Sequence, residues 1–217
     1  MTETPGVEIL DTIEYQLDPR EVLRLLGYAS GRRSPAPPVL RRIEEMTAEA
    51  GNLVEPRGCY TMRALPEAPR SGPFRGAERV AYSVSTIGRR LEARVAELSA
   101  SNEPLRALIL DALGSAAVEA VADVVNASVC RQAGQQDVFT NRRISPGYGR
   151  WPIEAQAEIF ALLPTRVSGV MLGPNWFMEP RKSISAAVSV GRGVAHSKYV
   201  SICAYCDLRG CAYRRGA

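Results

Sequence analysis

Lysine is almost missing from this sequence. Of 27 basic side chains in 217 residues only Lys182 and Lys198 are lysines, so nearly all the positive charge is arginine. Either nucleotide bias in the genome or a use for planar, bidentate contacts produces such a skew. A basic block is missing as well. The basic residues face 23 acidic ones, and the net charge of +4 is spread along the chain, which disfavours a nucleic-acid partner. No long apolar run occurs: the most apolar stretch, residues 116–129, is interrupted by Glu119, Asp123 and Asn126. No membrane span is expected. The first ten residues have neither a basic start nor an apolar run, and without a secretory or transit signal in view the expected location is the cytoplasm. Residues 79–98 read as strand, Gly88 turn and helix, a phosphate-loop outline, yet no G-x-G-x-x-G or Walker pattern accompanies them. That absence argues against a doubly wound nucleotide-binding fold.

What is present is enough for a core. Hydrophobic residues make up 46% of the chain, which suits one large domain or two small ones. Alternation of Val7, Ile9, Ile13 and Tyr15 predicts a strand over 7–15, and Asp18, Pro19 and Glu21 open a helix that Gly27 can end. A second helix over 39–50, with Val39, Leu40, Ile43 and Met46 inward, is closed by Gly51. Strands are expected at 59–65, 79–87, 167–172 and 184–190, with a turn at 174–180. The longest helix spans 104–130, with Leu105, Leu108, Ile109, Leu113, Val121 and Val125 as its apolar contacts. The expected fold is α+β, a single domain with a mixed or antiparallel sheet and a long alanine-rich helix. Its parts are a strand-helix-helix-strand subregion (1–65), a loop (66–78), a core (79–200) and a cysteine-rich tail (201–217).

Three features could carry chemistry. Alanines, Gly114 and Ser115 leave the long helix with little bulk, so another backbone or a ligand can approach it closely. Glu119 and Asp123, four residues apart, share one helix face and are either solvent-facing or a deliberate polar pair. Second, residues 141–151 hold Arg143, Pro146, Gly147, Tyr148 and Gly149 and cannot be regular structure; a helix starts at Pro152. A guanidinium, an exposed turn backbone, a flat aromatic and a helix start suit an anionic nucleoside ligand, though a plain surface turn has the same composition. Third, three of the five cysteines form Cys203-x-x-Cys206-x-x-x-x-Cys211. Three thiols in one short segment fit an iron–sulfur or zinc centre better than a disulfide framework, with Cys130, Cys59 or His196 as candidate fourth ligand. Unligated thiols are the plain alternative.

The segment R-I-S-P-G-Y-G-R-W-P-I-E-A-Q at 143–156 resembles the R-x-(A/S)-P-G-Y segment of the activation domain of cobalamin-dependent methionine synthase. D-A-L-G-S-A-A-V-E-A-V-A-D at 111–123 and M-E-P-R-K-S-I-S at 178–185 are similar to that family in order and spacing. The likeness covers most of the chain after about residue 80. The N-terminal strand and helix and the cysteine tail resemble only short, free-standing homologues. The resemblance implies a module that binds S-adenosylmethionine (SAM) and supports reductive methylation of cob(II)alamin on a corrinoid-binding methionine synthase or related corrinoid protein, with an electron donor as a possible further partner. It implies that Arg143 grips the ligand carboxylate, the backbone at Ser145 and Gly147 meets the nucleoside, Tyr148 lies toward the corrin and Glu119 faces the cationic end. Where the family has an aromatic contact, this chain has Val188. The rival readings are a binding-only partner of a corrinoid protein and a SAM-dependent methyltransferase acting on a small molecule.

Overall fold

Eight residues from Arg79 to Thr86 pair along their whole length with two neighbours, and this strand fixes the plan of the molecule. The computed structural model describes residues 6–28, 34–65, 73–149, 151–164 and 168–194. Strands β1 (Val7–Leu10), β2 (Arg57–Ala64), β3 (Arg79–Thr86), β4 (Phe139–Thr140) and β7 (Ser183–Gly191) form an antiparallel sheet in the order β1-β2-β3-β7-β4. A separate hairpin joins β5 (Met171–Leu172) to β6 (Met178–Glu179). The helices are α1 (Pro19–Leu23), α2 (Pro37–Leu53), α3 (Arg90–Ala100), α4 (Pro104–Gly134) and α5 (Gln156–Leu162). The result is the expected α+β unit with an antiparallel sheet and one long helix. β2 and β3 lie side by side although residues 65–78 separate them.

Alternation sends successive side chains to opposite faces of the sheet, and both faces are covered. Tyr60, Ala81, Val188 and Val190 join the main core with α4, α3 and α2. Cys59 and Val84 point the other way, onto Ile159 and Leu163 of the α5 segment and Val170. Small residues set the spacing on the α4 side. A Cβ at Gly58 would stand 2.5 Å from Val125 Cγ2, so the glycine is what lets the helix lie down on β2. On the helix itself, Gly114 makes room for a side chain of α3: a Cβ there would stand 2.6 Å from Leu91 Cδ2.

Several expected boundaries move. The first strand stops at Leu10, because its partner β2 begins at Arg57, opposite the next residue; Ile13 and Tyr15 pack into the core without a ladder. Helix α2 runs through Gly51 to Leu53 and ends where Val54 turns extended, two residues before Pro56. Leu40, Leu105 and Leu108 are exposed, not buried. On α4 apolar residues occupy nearly every face, so periodicity could not select the buried stripe. Of the strand expected over 167–172, residue 167 lies outside the described residues, and among residues 168–172 only Met171–Leu172 is strand, with Gly169 at φ +76° just before it. Helix α4 extends one turn beyond Cys130, and α5 is preceded by a 3-10 turn, Ile153–Ala155. Asp18 caps α1 as expected, accepting from Arg20 N at 2.9 Å.

Candidate functional site

β4 pairs with the end of β7, and the chain then continues along that strand as a ragged edge. Asn141 donates from its backbone to Ser189 O, and its side-chain amide bonds both the Ser189 hydroxyl (3.0 Å) and the Ser189 N–H (2.9 Å). Ile144 then bridges Ala187 through both backbone bonds, at 2.9 and 2.8 Å. Asn141 and Ile144 are three residues apart while Ser189 and Ala187 are two, so one extra residue is taken up, as in a bulge. Ala187 points to the α5 side, and so does Ile144 opposite it. Alternation then sends Arg143 to the α4 side.

Glu119 and Asp123 wait there, one turn apart on α4. Arg143 Nη2 donates to Glu119 Oε2 at 2.8 Å and to Asp123 Oδ1 at 2.9 Å. The arginine side chain is 15% exposed, while the two acids remain 41% and 39% exposed. The acids are thus paired and still open to solvent, which merges the two readings of their spacing.

Past Ile144 the chain folds into a tight turn. Tyr148 N donates to Ser145 O at 3.3 Å, Trp151 N to Tyr148 O at 3.2 Å and Gly147 N to Trp151 O at 2.9 Å. Gly147 (φ +89°) and Gly149 (φ +60°) hold backbone conformations that residues with a Cβ adopt only with strain. Trp151 sits edge-on to Phe74 with centroids 5.3 Å apart, which backs the turn. Tyr148, 53% exposed, projects from it. The structure thus brings Arg143 and Glu119 into contact and sets Ser145, Gly147 and Tyr148 in the adjoining turn. Val188 is buried in the α4–sheet core, where it packs with β3 and α4.

No protein-family model and no curated protein sequence matches the chain. Among solved structures, a crystal structure of the MetH reactivation domain bound to AdoHcy aligns with it at a TM-score of 0.60. The alignment covers 90% of this chain and 80% of that chain, at 15% sequence identity. The two share a fold.

Within this reactivation-domain fold, the segment that links β6 to β7 is pinned by a cluster that sequence patterns did not flag. Lys182 Nζ bonds Asp111 Oδ1 (2.8 Å) and Ser115 Oγ (2.7 Å) on α4. Its backbone N–H donates to the Glu92 carboxylate, and its carbonyl accepts from Ile87 N and the Thr86 hydroxyl. The four-residue spacing of Asp111 and Ser115 was the available signal; the distant lysine that completes the cluster was not. Gln156 ties α5 to the sheet and to the β5–β6 turn, accepting from Ser185 Oγ and donating to Trp176 O.

Cys203, Cys206, Cys211 and His196 lie outside the described residues. Among the described residues, no group of three His, Cys, Asp or Glu side chains could hold a metal ion. Of the two other candidate ligands, Cys59 is buried and desolvation pushes its thiol up to about 11. Cys130 is partly exposed at 3.3 Å from the Thr140 hydroxyl. No helix among the described residues is long and apolar enough to cross a membrane.

Proposed function

We propose that this chain is a cytoplasmic SAM-binding reactivation module for a cobalamin-dependent methionine synthase or a related corrinoid methyltransferase, supporting reductive methylation of cob(II)alamin on that partner. The contact between Arg143 and Glu119 carries the reading. A guanidinium and a partly exposed carboxylate side by side match the carboxylate and ammonium of an α-amino acid. The fold supports it, since AdoHcy, the ligand of the structural neighbour, is what remains when SAM gives up its methyl group.

In this reading Arg143 grips the ligand carboxylate and Glu119 faces the cationic end. The backbone at Ser145 and Gly147 approaches the nucleoside, where glycine leaves room, and Tyr148 lies toward the corrin. When bound, SAM supplies a methyl cation to cobalt reduced by one electron from a separate donor, and AdoHcy is released. The chain itself contributes position and field. Calorimetry tests the ligand: heat is expected when SAM is added to the wild type, and little or none with Arg143→Ala. Silence from the wild type, or an unchanged affinity in the variant, removes the reading.

An iron–sulfur or zinc centre on Cys203, Cys206 and Cys211 belongs to the same proposal, since three thiolates from a short segment suit either. An iron–sulfur centre fits a module that must pass on one electron. Anaerobic purification followed by an absorption spectrum and metal analysis decides it; a colourless, metal-free protein removes the centre.

A further inference from the structure

The β5–β6 hairpin carries the most exposed large apolar side chain among the described residues, Phe177 at 69%. Met171 pairs with Glu179 and Leu172 with Met178, and Gly173 N donates to Phe177 O at 2.7 Å. Alternation therefore divides the hairpin into two faces. Met178 packs inward with Cys59, Val84 and Ile159, while Met171, Phe177 and Glu179 share the outward face and are exposed. Gly173 adds no side chain between Met171 and Phe177, so the two form one apolar patch. The tip holds Asn175 and Trp176 at φ +58° and +65°, a conformation that residues with a Cβ adopt only with strain. A strained tip that presents a phenylalanine to water calls for a cover.

We propose that the cover is this chain's own cysteine-rich segment, residues 202–215, lying across the outward face of the hairpin. Size favours it over a separate protein. A stable interface needs roughly 800 Å² from each partner, several times what two side chains offer, whereas a tethered segment is present at an effective concentration of millimolar order. Reach allows it. Val170, at the base of the hairpin, packs with Cys59 and Val84, which lie beside Ser185 near the start of β7. From Ser185 to Gly191 the strand covers about 20 Å at ~3.4 Å per residue, so a similar length of extended chain beyond Val194 returns to the hairpin with residues 202–215 still to place. Composition fits as well. Ile202, Tyr205, Leu208 and Tyr213 suit the apolar patch, and Arg209, Arg214 and Arg215 outnumber Asp207. On the hairpin and the α5 segment, exposed Glu154, Glu158 and Glu179 outnumber exposed Arg181. Docking there holds the three cysteines near Gln156, which follows the turn of the candidate site and donates to Trp176 O at 3.0 Å.

Limited trypsin digestion of the full chain reads where the segment lies, with cleavage after Arg209 and Arg214 followed by mass spectrometry. In the wild type both bonds should be cut slowly, at a rate that dilution of the protein leaves unchanged. Phe177→Ser and Glu179→Gln should each speed the cuts, and the double variant should do so by roughly tenfold, because cleavage tracks the population of the undocked segment. Leu108→Ser, which removes an exposed leucine from α4 instead, should leave the rate as it is. Wild-type protection that grows with protein concentration would make a second copy the cover. Cleavage as fast as in the denatured chain would leave the hairpin open to a separate partner, and protection unchanged in the double variant would place the segment elsewhere. Each of these three results overturns the proposal.

Discussion

Cys59 and Cys130 carry the same side chain in opposite circumstances. Cys59 lies under α5 with no exposure and a thiol pushed up to about 11 by desolvation, whereas Cys130 is partly open beside Thr140. Alkylation at about pH 8 followed by peptide mass mapping should therefore leave Cys59 unmodified in the native protein and label it only after denaturation, because the reactive species is the thiolate. Rapid native labelling of Cys59 would contradict its placement. At this scale the charges of the candidate site were legible in the sequence. Glu119 and Asp123 announce a shared face by their spacing, and Arg143 stands out in a segment that cannot be helix or strand. The choice of Arg143 over its neighbour Arg142 was not legible from spacing alone. It depends on the bulge-like step between Asn141 and Ile144 and on which face of β7 Ile144 adjoins.

Elements meet here through small residues. Gly58→Ala should lower stability by about 1–3 kcal/mol, as overpacking of a filled interface does, because the new methyl would press on Val125 Cγ2 and approach Val84 O at 3.4 Å. Val125 is β-branched and stiff in a helix, so it cannot swing aside. Denaturant midpoints check this, and pairing the change with Val125→Ala should cost less than the sum of the single variants. A cost near zero for Gly58→Ala would show that helix and sheet are farther apart. The long helix was readable from its length and composition, but its buried stripe was not. Leu105 and Leu108 look like core residues and are exposed, while Ala107 and Leu110 are buried. An apolar residue on every face leaves the choice to whatever packs alongside.

Across the whole molecule, Glu49 ties three helices together. Its carboxylate accepts from Arg94 on α3 at 2.6 Å and from Arg106 on α4 at 3.1 Å. The bond from Arg94, joined by Arg106 and opposed by burial, holds the Glu49 carboxyl below its ordinary value of 4.5. A folded-state pKa below the unfolded one adds stability that is fully present above the unfolded value and disappears as pH falls through the folded one. Glu49→Gln should therefore melt a few degrees lower at about pH 7, and the gap should close toward about pH 3. A gap independent of pH would mean that packing, not charge, is what Glu49 supplies. By itself the sequence determined the α+β class, the long helix, the irregular turn after Arg143 and the acid pair on α4, because each follows from local periodicity, turn chemistry or spacing along one element. Only the tertiary structure decided that β2 and β3 are neighbours, that one arginine nitrogen serves both acids, and that Lys182 bonds Asp111 and Ser115. Those contacts join residues from 15 to more than 60 positions apart, and no pattern confined to a single element records which distant partner the packed core will bring to it.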